Sequence, residues 1–238
     1  MTSPSEIASL PLRRRLVGVR VVLVEDHVLF AESLRLTLRA EGADVHFIGV
    51  AAVSPAEGLG AIAEACLRHR PHVVLLDLSL GDDVGDSDDL IAPLAQAGVR
   101  VVMLTGTTDH ARLGQCVERG ATGVVSKAEP LDVVVEQVQR AAHGERVLSA
   151  QRRLDLVLES RRERSARERR LAPLESLTER EREVLAELLR GRQVEEISHD
   201  LFVAQATVRT HVRAILQKLG VRSQLAAVAR AREVGWLG

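Results

Sequence analysis

Residues 21–40 read VVLVEDHVLFAESLRLTLRA, and the first decision about the fold lies in them. The apolar run from Val19 to Val24 is short and β-branched and stops at Glu25 and Asp26. Leu29, Phe30, Leu34 and Leu38 then recur at the spacing of a helical face. This pattern predicts a strand followed by a helix. The alternation continues with Val45 to Val50 before a helix near 55–69, and Val73 to Leu76 before one near 87–96. Val101 to Leu104 precedes a helix near 109–119, and Gly123 to Val125 one near 131–142. Near-continuous apolar strands that alternate with helices call for an α/β architecture, a five-stranded parallel sheet covered on both faces.

Open sheets of this kind bind ligands beyond the carboxyl ends of their strands, where the strand order reverses. The residues at those ends are Glu25 and Asp26, then Asp77, Thr105 and Lys127. With strand order 2-1-3-4-5, the first and third strands are neighbours and three carboxylates from distant parts of the chain meet. Like charges at such proximity need a cation. Oxygen donors without thiols or paired imidazoles favour Mg²⁺ over Zn²⁺. An ammonium at Lys127 can neutralise phosphoryl oxygens, a hydroxyl at Thr105 can donate to another, and a carboxylate can act as acceptor nucleophile. Asp77, at the end of the central strand, is the acceptor candidate, and Glu25 and Asp26 are the candidate metal ligands. The loop GDDVGDSDDL, residues 81–90, carries five further aspartates. The expected role there is capping of the next helix by Ser87 or Asp86 rather than a second cation site.

Charge is distributed unevenly along the chain. The net charge of −1 conceals a front part, residues 1–150, at −6, and a stretch from 205 to 238 with six basic groups against Glu233. Such a local excess suits a polyanion. Between them, LDLVLESRRERSARERR reads as a helical extension that becomes a solvated linker closed by Pro173. Thr178 with Glu181 three residues on forms a capping box, and the helix it opens runs to Gly191. A short helix at about Val194 to Leu201 follows, then one at about 205–218 and one from near Ser223. The third buries Val208, Val212, Ile215, Leu216 and Leu219 and turns polar groups outward. A helix, a tight turn and a second helix with an outward basic stripe is what a major-groove reader requires. Arg209, Thr210 and Arg213 are the candidate base or phosphate contacts, and Gln205, Thr207 and Lys218 the candidate phosphate partners.

Cys66 and Cys116 lie among apolar helical neighbours and read as small core residues. The eight histidines show no metal-ligand spacing; His27, beside the acidic pair, is the one placed to tune the site. No apolar run approaches the ~20 residues needed to cross a bilayer. The opening MTSPSEIASLPLRRRL lacks the order of a secretory signal, so a cytoplasmic protein without membrane contact is expected.

Two resemblances follow from these residues. VVLVEDHVLFAESL, HVVLLDLSL, VVMLTG and GVVSKAEP resemble the receiver domain of two-component response regulators, which has a flavodoxin-like fold. LTEREREVLAELLRG, EEISHDLFVAQATVRTHVRAILQKLGV and LAAVARA resemble the LuxR-type helix-turn-helix of the NarL/FixJ class. The first implies that Asp77 is phosphorylated by a sensor histidine kinase. It also implies that Asp26 binds Mg²⁺ directly, that Glu25 binds it through water, and that the backbone carbonyl of Ser79 is a further ligand. The second implies promoter DNA as partner, with the last helix, about Ser223 to Arg232, as the contact of a homodimer. Departures are Glu25 for a commoner Asp, Gly81 for a proline, Val124 for a switch aromatic, Val194 for Asn, Ser198 for Ala and Ala204 for a capping Ser. The implied layout is an N-terminal extension (1–17), a receiver (18–146), a helical linker (147–173) and an all-α four-helix DNA-binding domain (174–238). The expectation is a transcription regulator, not an enzyme, whose phosphorylation controls dimerisation and DNA binding. An atypical receiver that dimerises and binds DNA without phosphate stays open.

Overall fold

The computed structural model describes residues 15–49, 58–81 and 86–236. Most of the expected N-terminal extension, the start of the helix expected from 55, and residues 82–85 of the acidic loop lie outside the described residues. The chain divides into two compact units at Arg161 and Arg162.

Five strands form the sheet of the first unit: β1 (Arg20–Glu25), β2 (Asp44–Gly49), β3 (Val73–Asp77), β4 (Arg100–Thr105) and β5 (Gly123–Ser126). All pairings are parallel, and the order is β2-β1-β3-β4-β5. The helices are α1 (Val28–Ala40), α2 (Gly58–Arg68), α3 (Ile91–Gln96), α4 (His110–Arg119) and α5 (Leu131–Ala142). Side chains alternate across the pleat. Val22, Val24, Val74, Leu76, Val101 and Met103 pack with Ile62, Leu94, Leu113 and Val117 on one face. On the other, Val21, Leu23, Val73, Leu75, Val102 and Leu104 pack with Leu34, Leu38, Val134 and Val138. The near-continuous apolar strands of the sequence are therefore strands buried on both sides.

Cys66 and Cys116 are free and buried beneath the same face of the sheet. Burial pushes both thiols up to about 12. The helix expected near 87–96 begins instead as a single 3-10 turn, Ser87–Leu90, before α3. Neither Asp86 nor Ser87 caps it. The Ser87 hydroxyl donates to the Leu78 carbonyl at 2.7 Å, and Asp86 accepts from Arg112 of α4 at 2.7 Å. Cross-chain partners outcompete the local cap in both cases.

One helix, α6 (Ala150–Glu175), replaces the fading linker read from the sequence. Pro173 does not close it. Proline removes only one amide donor, here in the last turn, and the Ser176 N–H still reaches the Ala172 carbonyl at 3.1 Å. Within the first unit, Leu156 of α6 joins the core.

The second unit contains α7 (Glu179–Leu189), α8 (Val194–Asp200), α9 (Gln205–Leu219) and α10 (Gln224–Glu233), closed around Leu174, Val184, Leu185, Ile197, Val208, Val212, Ile215 and Ala227. Thr178 and Glu181 form the expected box at the start of α7. Glu181 also accepts from Lys218 of α9 at 2.6 Å, which ties the two longest helices contained in this unit. Burial acts to raise the Glu181 carboxyl, but Lys218 and the Thr178 amide outweigh it and hold it below the ordinary value. A depressed carboxyl contributes stability above its unfolded value, and that stability is lost as pH falls through the folded one. We expect Glu181→Ala to lower the stability of this unit by about 1–3 kcal/mol. We also expect the wild-type margin to shrink as pH drops below 4.5. Urea unfolding of the full chain, followed by the single Trp236, reads both, since Trp236 packs on this core. Equal midpoints at pH 7 would remove the role given to the pair.

Candidate functional site

Parallel register brings the ends of β1, β3, β4 and β5 to one edge of the sheet. Val24 pairs with Leu76, Asp77 with Leu104 and Thr105 with Ser126. Glu25, Asp77 and Thr105 therefore end their strands side by side, all buried. Lys127, one residue beyond β5, reaches back to donate to Glu25 Oε1 at 2.8 Å and to Asp77 Oδ2 at 2.7 Å. Its ammonium also lies 5.4 Å from the centroid of the Phe30 ring.

The electrostatics of this edge are set by burial and by an excess of acid. Burial pushes the Glu25 carboxyl up, and Lys127 and the His27 amide only partly oppose it. Burial works against the Lys127 charge too, but Asp77 and Glu25 outweigh it and raise its pKa. Asp26 is more exposed; His27 and its other bonds lower it despite partial desolvation. The imidazole of His27 lies 2.7 Å from Asp26 Oδ1, and this carboxylate raises its pKa. His27 thus sits on the acidic pair, as its sequence position allowed.

The donor set fits a small divalent cation. One ligand atom from each of Glu25, Asp26, His27 and Asp77 lies within 4.8 Å of the others. Among the described residues Glu25 Oε2 is buried with no hydrogen-bond partner. An orphaned carboxylate oxygen beside a cluster of acids is a position that a hard cation satisfies. Ser79, expected to contribute its carbonyl, donates its N–H to Asp77 Oδ1 at 3.2 Å. The Thr105 hydroxyl accepts from the Thr107 amide at 3.0 Å.

Gln205, Thr207, Arg209, Thr210 and Arg213 are all exposed on α9, on the side away from Val208, Val212 and Ile215. Arg209 donates to Gln205 at 3.1 Å and lies 3.6 Å from Glu195 of α8. Thr210 bonds back to the Ala206 carbonyl at 2.9 Å. Lys218, at the far end of α9, has intramolecular partners. Its ammonium donates to Glu181 at 2.6 Å and to the Ser176 carbonyl at 3.1 Å while the residue stays exposed, so it braces the domain from a surface position. As expected, α9 starts at Ala204 without a side-chain cap.

The sequence reading missed Arg112. From the first turn of α4 it donates to the Leu78 carbonyl at 3.1 Å, next to the candidate acceptor, and it binds Asp86. A basic residue three positions after the Asp109 cap was the available signal, but its partner lies 34 residues away.

This constellation on a β2-β1-β3-β4-β5 sheet, joined in one chain to a four-helix unit whose α9 exposes Arg209 and Arg213, defines a receiver coupled to a DNA-binding domain. The family model described as the response regulator receiver domain matches residues 21–139. The one described as bacterial regulatory proteins, luxR family, matches residues 175–231. Over 211 residues the chain is 33% identical to a nitrate/nitrite response regulator protein homolog of Haemophilus influenzae, which spans 88% of this chain and 94% of that one. It is 32% identical to the probable transcriptional regulatory protein NarL of Mycobacterium tuberculosis, with 90% and 93% covered. It is 31% identical to the nitrate/nitrite response regulator protein NarP of Escherichia coli, with 87% and 92% covered. The chain belongs to the two-component response regulators of the NarL/FixJ class, a family of transcription regulators. Among the described residues no helix is long and apolar enough to cross a membrane.

Lys127→Met would strip the counter-charge from two buried carboxylates. We expect a loss of about 3–5 kcal/mol in metal-free buffer, the usual consequence of removing one partner of a buried pair. We expect part of that loss to return in millimolar Mg²⁺. Urea midpoints with and without the ion measure both effects, and a midpoint that Mg²⁺ leaves unmoved would contradict the cation assignment.

Proposed function

We propose that Asp77 is the phosphoacceptor of a cytoplasmic switch fed by a sensor histidine kinase, and that phosphorylation favours a homodimer that binds promoter DNA. The observation that carries this reading is the bridge from Lys127 to Asp77 and Glu25, with an unpartnered carboxylate oxygen beside it. In the transfer, the P–N bond of a phosphohistidine breaks, an Asp77 carboxylate oxygen forms the new O–P bond, and the imidazole leaves. Lys127 neutralises the arriving phosphoryl oxygens, and the Thr105 hydroxyl donates to another. Glu25, Asp26, Asp77 and the Ser79 carbonyl would hold Mg²⁺, which when bound supplies positive charge for the phosphoryl group. Burial of Asp77 excludes bulk water from the acceptor.

In the second unit, α9 is the reading helix. Arg209, Thr210 and Arg213 meet base edges or phosphates in the groove, and Gln205, Thr207 and Lys218 meet the backbone of promoter DNA. Phosphorylation acts by shifting a pre-existing equilibrium toward the dimer, with α10 as the contact between copies on DNA.

Asp77→Asn is expected to abolish radiolabelling by acetyl phosphate in Mg²⁺, and retained acid-labile label would refute the acceptor. Arg213→Ala should weaken DNA binding and flatten the plot of log affinity against log salt by about one unit. An unchanged slope would remove Arg213 from the phosphate contacts, and unchanged affinity would remove it from the interface. Light scattering with beryllofluoride reads the dimer, and an unchanged mass favours the phosphate-independent alternative.

A further inference from the structure

The first three turns of α6 lie against α4 through an interface that neither helix shows in its sequence. Gly114 stands in the middle of α4, where glycine is a poor helix former. A Cβ there would overlap the Leu156 carbonyl and stand 2.7 Å from the Ser160 Cβ. Leu156 and Ser160 are both buried. Polar contacts run along the same seam. Arg153 donates to the Val117 and Ala121 carbonyls, at 3.2 and 3.4 Å, where α4 ends. Glu118 accepts from the Ser160 hydroxyl at 3.2 Å and from Arg161 at 2.8 Å. Arg152 meets His110 at 3.0 Å at the start of α4. Residues 150–161 thus belong to the first unit as much as α5 does.

The other end of α4 is wired to the acidic edge. Thr105 accepts from the Thr107 amide, the Thr107 hydroxyl accepts from the Asp109 amide at 3.1 Å, and Asp109 caps α4 through the Ala111 and Arg112 amides. Arg112 adds the bond to the Leu78 carbonyl, one residue past Asp77. Val124, half-buried on β5, offers no aromatic ring to move in response to the site.

We propose that residues 150–161 are a sixth receiver helix, and that phosphorylation of Asp77 releases them from α4. The switch rests on the phosphoacceptor reading above. When the Thr105 hydroxyl turns to donate to a phosphoryl oxygen, the chain of bonds from Thr105 through Thr107 to the Asp109 cap is re-formed and α4 shifts. The backbone-to-backbone contact at Gly114 has no slack to absorb that shift. Close-packed interfaces change between discrete arrangements rather than compress. The helix undocks and Arg153 and Arg161 leave their acceptors.

The test is amide hydrogen exchange on the full-length chain with Mg²⁺, with and without beryllofluoride, beside labelling by acetyl phosphate. The amides of 150–161 are expected to exchange at least tenfold faster with the mimic. Gly114→Ala should give the fast rate without it while Asp77 still takes label, and Arg153→Gln, which needs no space at the seam, should give an intermediate rate. A wild-type chain that labels at Asp77 yet protects 150–161 equally in both states overturns this inference alone. A Gly114→Ala chain with wild-type protection overturns the docking. A wild-type chain that takes no label overturns the phosphorylation reading and the switch with it.

Discussion

The first unit is organised around one ammonium held between two buried carboxylates. Lys127 reaches Glu25 and Asp77 only because β1, β3 and β5 end at the same edge, and that coincidence is a product of parallel register. The bridge has a low dielectric around it, so both its strength and the consequence of breaking it exceed those of a surface pair. It leaves the edge net acidic, with Asp26 and His27 at the rim and one oxygen of Glu25 unmatched. A site in that condition is pre-arranged for a cation and an incoming anion together, since each reduces the desolvation of the other.

Much of this was legible in the sequence because burial on both sides leaves a strand no polar positions. Val21 to Val24, Val73 to Leu76 and Val101 to Leu104 announce central parallel strands, and the acids, hydroxyl and lysine that follow them fall at the carboxyl edge by topology alone. The box at Thr178 and Glu181 and the inward stripe of α9 were equally plain, since local hydrogen bonding and helical period are properties of neighbouring residues.

What the sequence did not disclose are partners far along the chain. The charge of Lys218 can be counted from the sequence, but not that Glu181 lies 2.6 Å away and ties it to α7. Ser87 and Asp86 looked like caps because the competing carbonyl of Leu78 and the guanidinium of Arg112 belong to other elements. Pro173 suggests a stop, yet a proline in a final helical turn forfeits a single bond. Gly114 carried no signal, since a close approach of two backbones has no pattern in one dimension.

The two thiols carry a consequence for chemistry outside the site. Cys66 and Cys116 lie under one face of the sheet, where burial pushes their thiols up to about 12. Burial thus withholds the thiolate, the reactive form, as well as access to the sulfur. Alkylating reagents therefore meet these sulfurs almost solely in molecules whose sheet has parted from its helices. The rate at which they are consumed is a clock for the opening of this layer.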